Sequence, residues 1–260
     1  MNSNQRAILP NFLTLSNLFL GFFAVVLFSQ GKDLTGAWLI VIAAIFDGLD
    51  GAAARLAKSS SKFGREADSL ADVVSFGVAP ATLVFHRLVD AFGMWAVVPA
   101  SLPLITAAIR LTRYNILTET GGHSRIFSGM PSPSGALMFA SFFIYAHNAD
   151  YDLNATPIWL TLIPLISALM VSPIPYRRMP VVPLHGAKRP ALSIAAIIAA
   201  TTLLLIDMPL FLFPLMVVYL LTGPVEWVIL LVVQARERHP ERIKTTETST
   251  RTSRWRKRTR

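Results

Sequence analysis

Four aspartates recur at fixed intervals in two adjacent apolar stretches: Asp47-x-x-Asp50-Gly51-x-x-Ala54-Arg55, eight residues, then Gly64-x-x-x-Asp68-x-x-x-Asp72. An acidic side chain at mid-bilayer costs about 2.5–3.5 kcal/mol on insertion scales, so four together call for a compensating partner. Divalent cations holding a phosphate-bearing substrate would be one. Carboxylates are hard oxygen ligands, suited to Mg²⁺ or Mn²⁺ rather than to a soft metal. On a helix, Asp47, Asp50, Gly51 and Ala54 fall in one stripe about 100° wide, and Gly64, Asp68, Asp72 and Ser75 share a face of the next helix. Gly51 and Ala54 leave room beside the acids for a flat base or a diphosphate, and Arg55 adds a cation suited to phosphate. The pattern reads as a membrane-embedded, metal-dependent enzyme acting on a phosphoester or diphosphate. Two other readings stay open at this level: a polar cluster neutralised by arginines, and a cation pathway through a transporter.

The elements that position these acids follow from composition. Of 260 residues 53% are apolar and only 15% charged, where a soluble domain has about a quarter charged. This is the balance of an all-α, polytopic transmembrane bundle. The absence of cysteine excludes disulfides, Fe–S clusters and thiolate chemistry. The opening MNSNQRAILPNF lacks the charged and apolar regions of a cleaved signal peptide. Breaking the apolar runs at Gly, Pro and charge clusters predicts about eight spans (six to eight), near 11–30, 34–57, 66–89, 94–115, 132–148, 156–173, 190–206 and 210–234. The last two are the least distinct.

Loop charge sets the orientation. With a cytoplasmic N-terminus, 19 Lys and Arg fall inside, ten of them after residue 234, and Lys32 and Arg87 fall outside. Both termini are then cytoplasmic, and the acids lie in the cytoplasmic half, about 8–17 Å from the loop between their helices. That short loop predicts an antiparallel hairpin of the two acidic helices. Residues 1–234 read as one transmembrane domain, and 235–260 as a basic, disordered cytoplasmic tail. The tail adjoins a span, which favours anionic lipid over nucleic acid as its partner. Trp38, Trp95 and Trp159, near span ends, read as interface anchors.

The aspartate pattern, with eight fixed positions over 26 residues, resembles the signature of the CDP-alcohol phosphotransferases. Further stretches resemble the serine-transferring branch of that family: Leu9-Pro10-Asn11-Phe12-Leu13-Thr14 with Asn17 and Gly21, SFGVAPA at 75–81, AIRLTRYNI at 108–116, FSGMPSPSGA at 127–136 and VSPIPYRR at 171–178. Thr112 and Tyr114 stand where that branch commonly has Ala and Phe. The resemblance runs from about residue 8 to 180.

This resemblance implies two divalent metal ions held by Asp47, Asp50, Asp68 and Asp72, with Asp72 also the general base for the acceptor hydroxyl. Gly51, Ala54 and Arg55 would face the cytidine and phosphates of CDP-diacylglycerol. L-serine would be the acceptor, phosphatidylserine and CMP the products, and the enzyme a homodimer in a prokaryotic cytoplasmic membrane with its site toward the cytoplasm. Glycerol phosphate, inositol or inositol phosphate as acceptor would use the same metal centre. Arg110 and Arg113 are either a pocket for the acceptor or a counter-charge to the aspartates. The FSGMPSPSGA segment is a fixed turn or an acceptor rim. Asn11, Thr14, Asn17 and Gly21 form a polar stripe on the first span, of the kind that commonly joins helices.

Overall fold

A computed structural model describes residues 3–57, 62–119, 129–151, 156–176 and 199–256, with side chains described over 9–53, 63–117, 129–151, 157–176 and 199–233. Every regular element among them is helical: α1 (Ser3–Ser29), α2 (Asp33–Ala57), α3 (Lys62–Val73), a π turn (Val74–Val78), α4 (Ala79–Phe92), a 3-10 turn (Gly93–Ala96), α5 (Val97–Glu119), α6 (Ser132–Asn148) and α7 (Thr156–Val171). The described part of α8 covers 199–206, and α9 runs Met208–Arg256. Four helical stretches among these are long and apolar enough to cross a membrane: Leu9–Ser29, Asp33–Ala53, Phe63–Leu117 and Met208–Val233, with Pro157–Val171 a shorter apolar helix. The third spans 55 residues and doubles back at Gly93–Ala96, so that α4 packs on α5. The protein is an integral membrane protein.

The outer surface carries the same chemistry as the core, as lipid requires. Leu9, Phe12, Leu15, Phe19 and Phe22 recur every three or four residues along α1, and each is more than half exposed. The opposite face of α1 buries Thr14, Asn17, Ala24 and Phe28. Such a helix, apolar outward and mixed inward, is stable only if the outside is hydrocarbon. α6 lies at the centre and buries Met138, Phe139 and Ile144 along with Ser132, Ser134 and Ser141. Trp159, placed at the interface by sequence position, is only 1% exposed and meets Phe142 edge-on at 5.0 Å. The space between α6 and α7 takes an indole, and burying that ring outweighs any interfacial preference.

α1 turns into α2 through a glycine-terminated cap. Gly31 has φ +72°, its N–H donates to Phe28 O at 2.9 Å, and Lys32 N–H donates to Leu27 O at 2.9 Å. This pairing satisfies the last carbonyls of α1 and requires a left-handed residue at Gly31. Asp33 then opens α2, where an acid complements the helix dipole. It is buried and bonds to Arg87 of α4, with His86 Nδ1 3.3 Å from its other oxygen. The Arg87 guanidinium sits 5.3 Å from the Phe143 ring of α6, so one ion pair ties three helices at the end of the bundle away from the acidic signature.

α2 and α3, joined by a short connection, each pack on α1 among the described residues and touch one another little. The acidic side chains bridge the gap between the two backbones. At the other end, α9 stays helical through Arg256, where composition predicts a disordered tail. Elongating a helix already started in the preceding span avoids the cost of nucleation. Side chains from Gln234 onward lie outside the described residues, as does the 58–61 connection.

Candidate metal and diphosphate site

α2 brings Asp47 and Asp50 to the cleft one helical turn apart, and α3 brings Asp68 from the opposite wall. One carboxylate oxygen from each of Asp47, Asp50 and Asp68 lies within 4.8 Å of the others. Asp50 is 6% exposed and accepts a 3.0 Å hydrogen bond from Thr14 Oγ1 on α1. Thr14 also lies 3.1 Å from Pro10 O, one turn back on its own helix. The polar stripe of α1 therefore orients one of the acids directly, where the sequence suggests helix–helix glue or a substrate contact.

Asp72 lies one turn beyond Asp68, is 8% exposed, and its Oδ1 is buried without a hydrogen-bond partner. It is not one of the three tightly clustered carboxylates, yet it lies within electrostatic range of all three and of Arg110. Two residues on, the chain leaves α3 for the π turn. Ser75, fully buried there, donates to Asn17 O of α1 at 2.8 Å. Gly21, one turn along α1 from Asn17, abuts Ser75, and a Cβ there would overlap the serine side chain and its backbone. π turns are rare and often sit at functional sites. Here the turn brings α3 against α1 directly beyond Asp72. The rotation of α3 is fixed on its other side by Asn115 of α5, whose Nδ2 donates to Ser69 Oγ at 2.9 Å.

Of the remaining sequence candidates, Gly51 lies half-buried beside Asp50 and Gly64 lies half-buried at the start of α3. The side chains of Ala54 and Arg55 lie outside the described residues, although the α2 backbone carries both. The two arginines of α5 part company. Arg110 Nη1 donates to Ser132 Oγ at 3.0 Å, on the side of Asp72. Arg113 Nη1 donates to Val171 O at 3.2 Å and so satisfies a terminal carbonyl of α7.

The described part of the FSGMPSPSGA segment is a rigid turn stitched to the end of α7. Gly129 N–H donates to Ile174 O and Met130 N–H to Leu169 O, both at 2.9 Å. Gly129 has φ +87°, and a Cβ there would collide with the Met170 carbonyl. The turn delivers Ser132 and Ser134 to the first turn of α6, where Ser132 meets Arg110 and Ser134 is hydrogen-bonded to Tyr219 of α9. Tyr219 was invisible to sequence reasoning, being a single tyrosine in an apolar run with no spacing partner.

Comparison with known proteins bears on this geometry. The family model described as CDP-alcohol phosphatidyltransferase matches residues 7–174, which hold all four aspartates, Thr14, Ser75, Arg110 and the Ser132 turn. The chain belongs to that family. A Helicobacter pylori protein named CDP-diacylglycerol–serine O-phosphatidyltransferase is 37% identical over 177 residues, covering 68% of this chain and 74% of the relative. An archaetidylserine synthase of Methanothermobacter thermautotrophicus is 34% identical over 173 residues, 66% of this chain and 70% of its own. A Mycobacterium bovis protein with the same name as the first is 32% identical over 201 residues, covering 74% of this chain and 67% of the relative.

CDP-alcohol phosphatidyltransferases use divalent metal ions, and the residues present fit such an ion. Three carboxylate oxygens converge without a sulfur or imidazole among them, and a fourth buried carboxylate beside them has an oxygen left for a ligand.

Proposed function

We propose that the protein transfers a phosphatidyl group from CDP-diacylglycerol to L-serine, giving phosphatidylserine and CMP. The observation that carries this reading is the convergence of Asp47, Asp50 and Asp68 from two membrane helices, beside the separately held Asp72. The acceptor rests on the relatives: proteins named for two different lipid classes both carry serine in their names.

In this reading Asp47, Asp50, Asp68 and Asp72 hold two divalent ions. When bound, the ions neutralise the diphosphate and stabilise the attacking and leaving oxygens. Thr14 keeps the Asp50 carboxylate turned into the cleft. By the family resemblance, Gly51, Ala54 and Arg55 take the cytidine and its phosphates. The serine hydroxyl attacks the phosphorus that bears the lipid, and the bond from that phosphorus to the CMP oxygen breaks. The hydroxyl proton passes to Asp72, a positioned carboxylate beside a weak nucleophile. Arg110 lies on the same side as Asp72 and receives the serine carboxylate in its planar fork. Arg113 supports this pocket through the end of α7. Direct transfer fits the absence of cysteine, and no histidine lies near the signature. Eight spans with both termini cytoplasmic put the site at the inner leaflet of a prokaryotic membrane, in a homodimer.

Purified protein given CDP-diacylglycerol, Mn²⁺ and one labelled alcohol at a time tests the acceptor. The expected result is serine-dependent CMP release with formation of phosphatidylserine. CMP release with glycerol phosphate or inositol but not with serine would overturn the acceptor. Ion flux in liposomes without nucleotide chemistry would overturn the enzyme.

A further inference from the structure

α9 lies beyond the part of the chain that matches the family, yet it reaches the acceptor side of the site. Tyr219 is 7% exposed, and its hydroxyl is hydrogen-bonded to Ser134, itself buried. Two residues before Ser134 on the same first turn of α6, the fully buried Ser132 accepts from Arg110 Nη1 at 3.0 Å. The Arg110 guanidinium is also within electrostatic range of the Tyr219 oxygen and of Asp72. Tyrosine, two serines and arginine thus gather at the first turn of α6, between the last membrane helix and Asp72.

The placement of Tyr219 is enforced from the other side as well. Tyr176, in the stretch after α7, donates from its hydroxyl to Leu220 O at 2.9 Å, and its ring lies 5.8 Å from that of Tyr219. Gly223, one turn further along α9, lies beneath the Tyr176 ring, and a Cβ there would run into it. Contacts at Leu220 and Gly223 fix the rotation of α9, so the phenol of Tyr219 faces α6. A tyrosine needed only to fill space would gain nothing from a hydroxyl in this position. Burying a hydroxyl without a partner is unfavourable, and here the partner, Ser134, sits on the helix turn that also meets Arg110.

We propose that Tyr219 is a positioning residue for the acceptor: through Ser134 and the first turn of α6 it fixes the Arg110 guanidinium that receives the acceptor's anionic group. The proposal rests on the phosphatidyl-transfer reading. It adds that the acceptor side of the site is completed, in this chain, by a helix outside the region that matches the family.

Tyr219→Phe removes the hydroxyl and keeps the ring, and Ser134→Ala removes its partner. The steady-state KM for L-serine and for CDP-diacylglycerol is measured for each variant and for the pair, with melting temperature alongside. Each single variant should raise the serine KM about threefold to tenfold, the range expected for one lost hydrogen bond. The KM for CDP-diacylglycerol and kcat should stay near wild type, and the double variant should be no worse than the worse single one. A serine KM unchanged in both variants would overturn the proposal. So would an equal rise in both KM values, or a lowered melting temperature with unchanged kinetics, since those mark helix glue. If Tyr219→Phe does not fold, Ser134→Ala alone decides by the same criteria. Wild-type protein that releases no CMP with serine would instead defeat the phosphatidyl-transfer reading on which the proposal stands.

Discussion

Asp72 and Asp50 are both buried carboxylates in one cleft, and in the proposed reading both hold metal while Asp72 alone also takes the acceptor proton. Asp50 is held by Thr14 and sits in the tight group with Asp47 and Asp68, as a ligand requires. Asp72 stands apart from that group, has a buried oxygen without a protein partner and has Arg110 in range. Asp72→Asn keeps the shape and removes the base. Turnover should fall about 10²- to 10⁴-fold, while the melting temperature and the amount of protein inserted in the membrane stay at wild-type values. Turnover within a few-fold of wild type would take Asp72 out of the chemistry. At this scale the sequence was most informative for the acids, because four aspartates in apolar helices have few explanations. It was least informative for Thr14, Ser134 and Tyr219. A single hydroxyl in an apolar helix can bond its own preceding turn, as Thr14 also does, and nothing in the spacing says which partner it takes.

Elements decide whether those side chains meet. The sequence indicated helices nearly everywhere they occur, since long apolar runs in a membrane protein have no other stable form. It indicated less of how they pack. A short loop between α2 and α3 indicated an antiparallel pair, but not that α1 packs against both of them. The π turn at Val74–Val78 was likewise hidden, because SFGVAPA reads as ordinary apolar helix. Its fit depends on Gly21, where any side chain would overlap Ser75. Gly21→Ala should lower stability by about 1–3 kcal/mol, the cost of overpacking a close helix contact, read as a lower melting temperature in detergent. Because the displaced turn carries α3, turnover should fall as well. A variant with unchanged melting temperature and activity would show that α1 and the π turn are not in register as described.

The whole molecule separates two ends. One holds the acids; the other is tied by Asp33, Arg87 and Phe143. The proposed orientation, drawn from positive-inside charge, puts the acidic end at the cytoplasm; the helices alone leave it undetermined. A chain without cysteine is suited to testing this by labelling single introduced thiols. In intact cells a membrane-impermeant maleimide should label Tyr151→Cys, at an exposed position after α6, and should reach Ser60→Cys only after permeabilisation. The reverse pattern would put the site on the wrong side for cytoplasmic serine and nucleotide. Residues 235–260 add ten of the basic residues behind this assignment.

The central claim is that carboxylates pooled from α2 and α3 act through divalent cations on a nucleotide-linked lipid. Its most direct test is CMP release from CDP-diacylglycerol and L-serine by chelator-stripped protein, followed as Mn²⁺ or Mg²⁺ is returned. The account predicts no release after stripping and saturable recovery with added metal in the wild type, with Asp68→Asn failing to recover. Undiminished CMP release in excess chelator would contradict it.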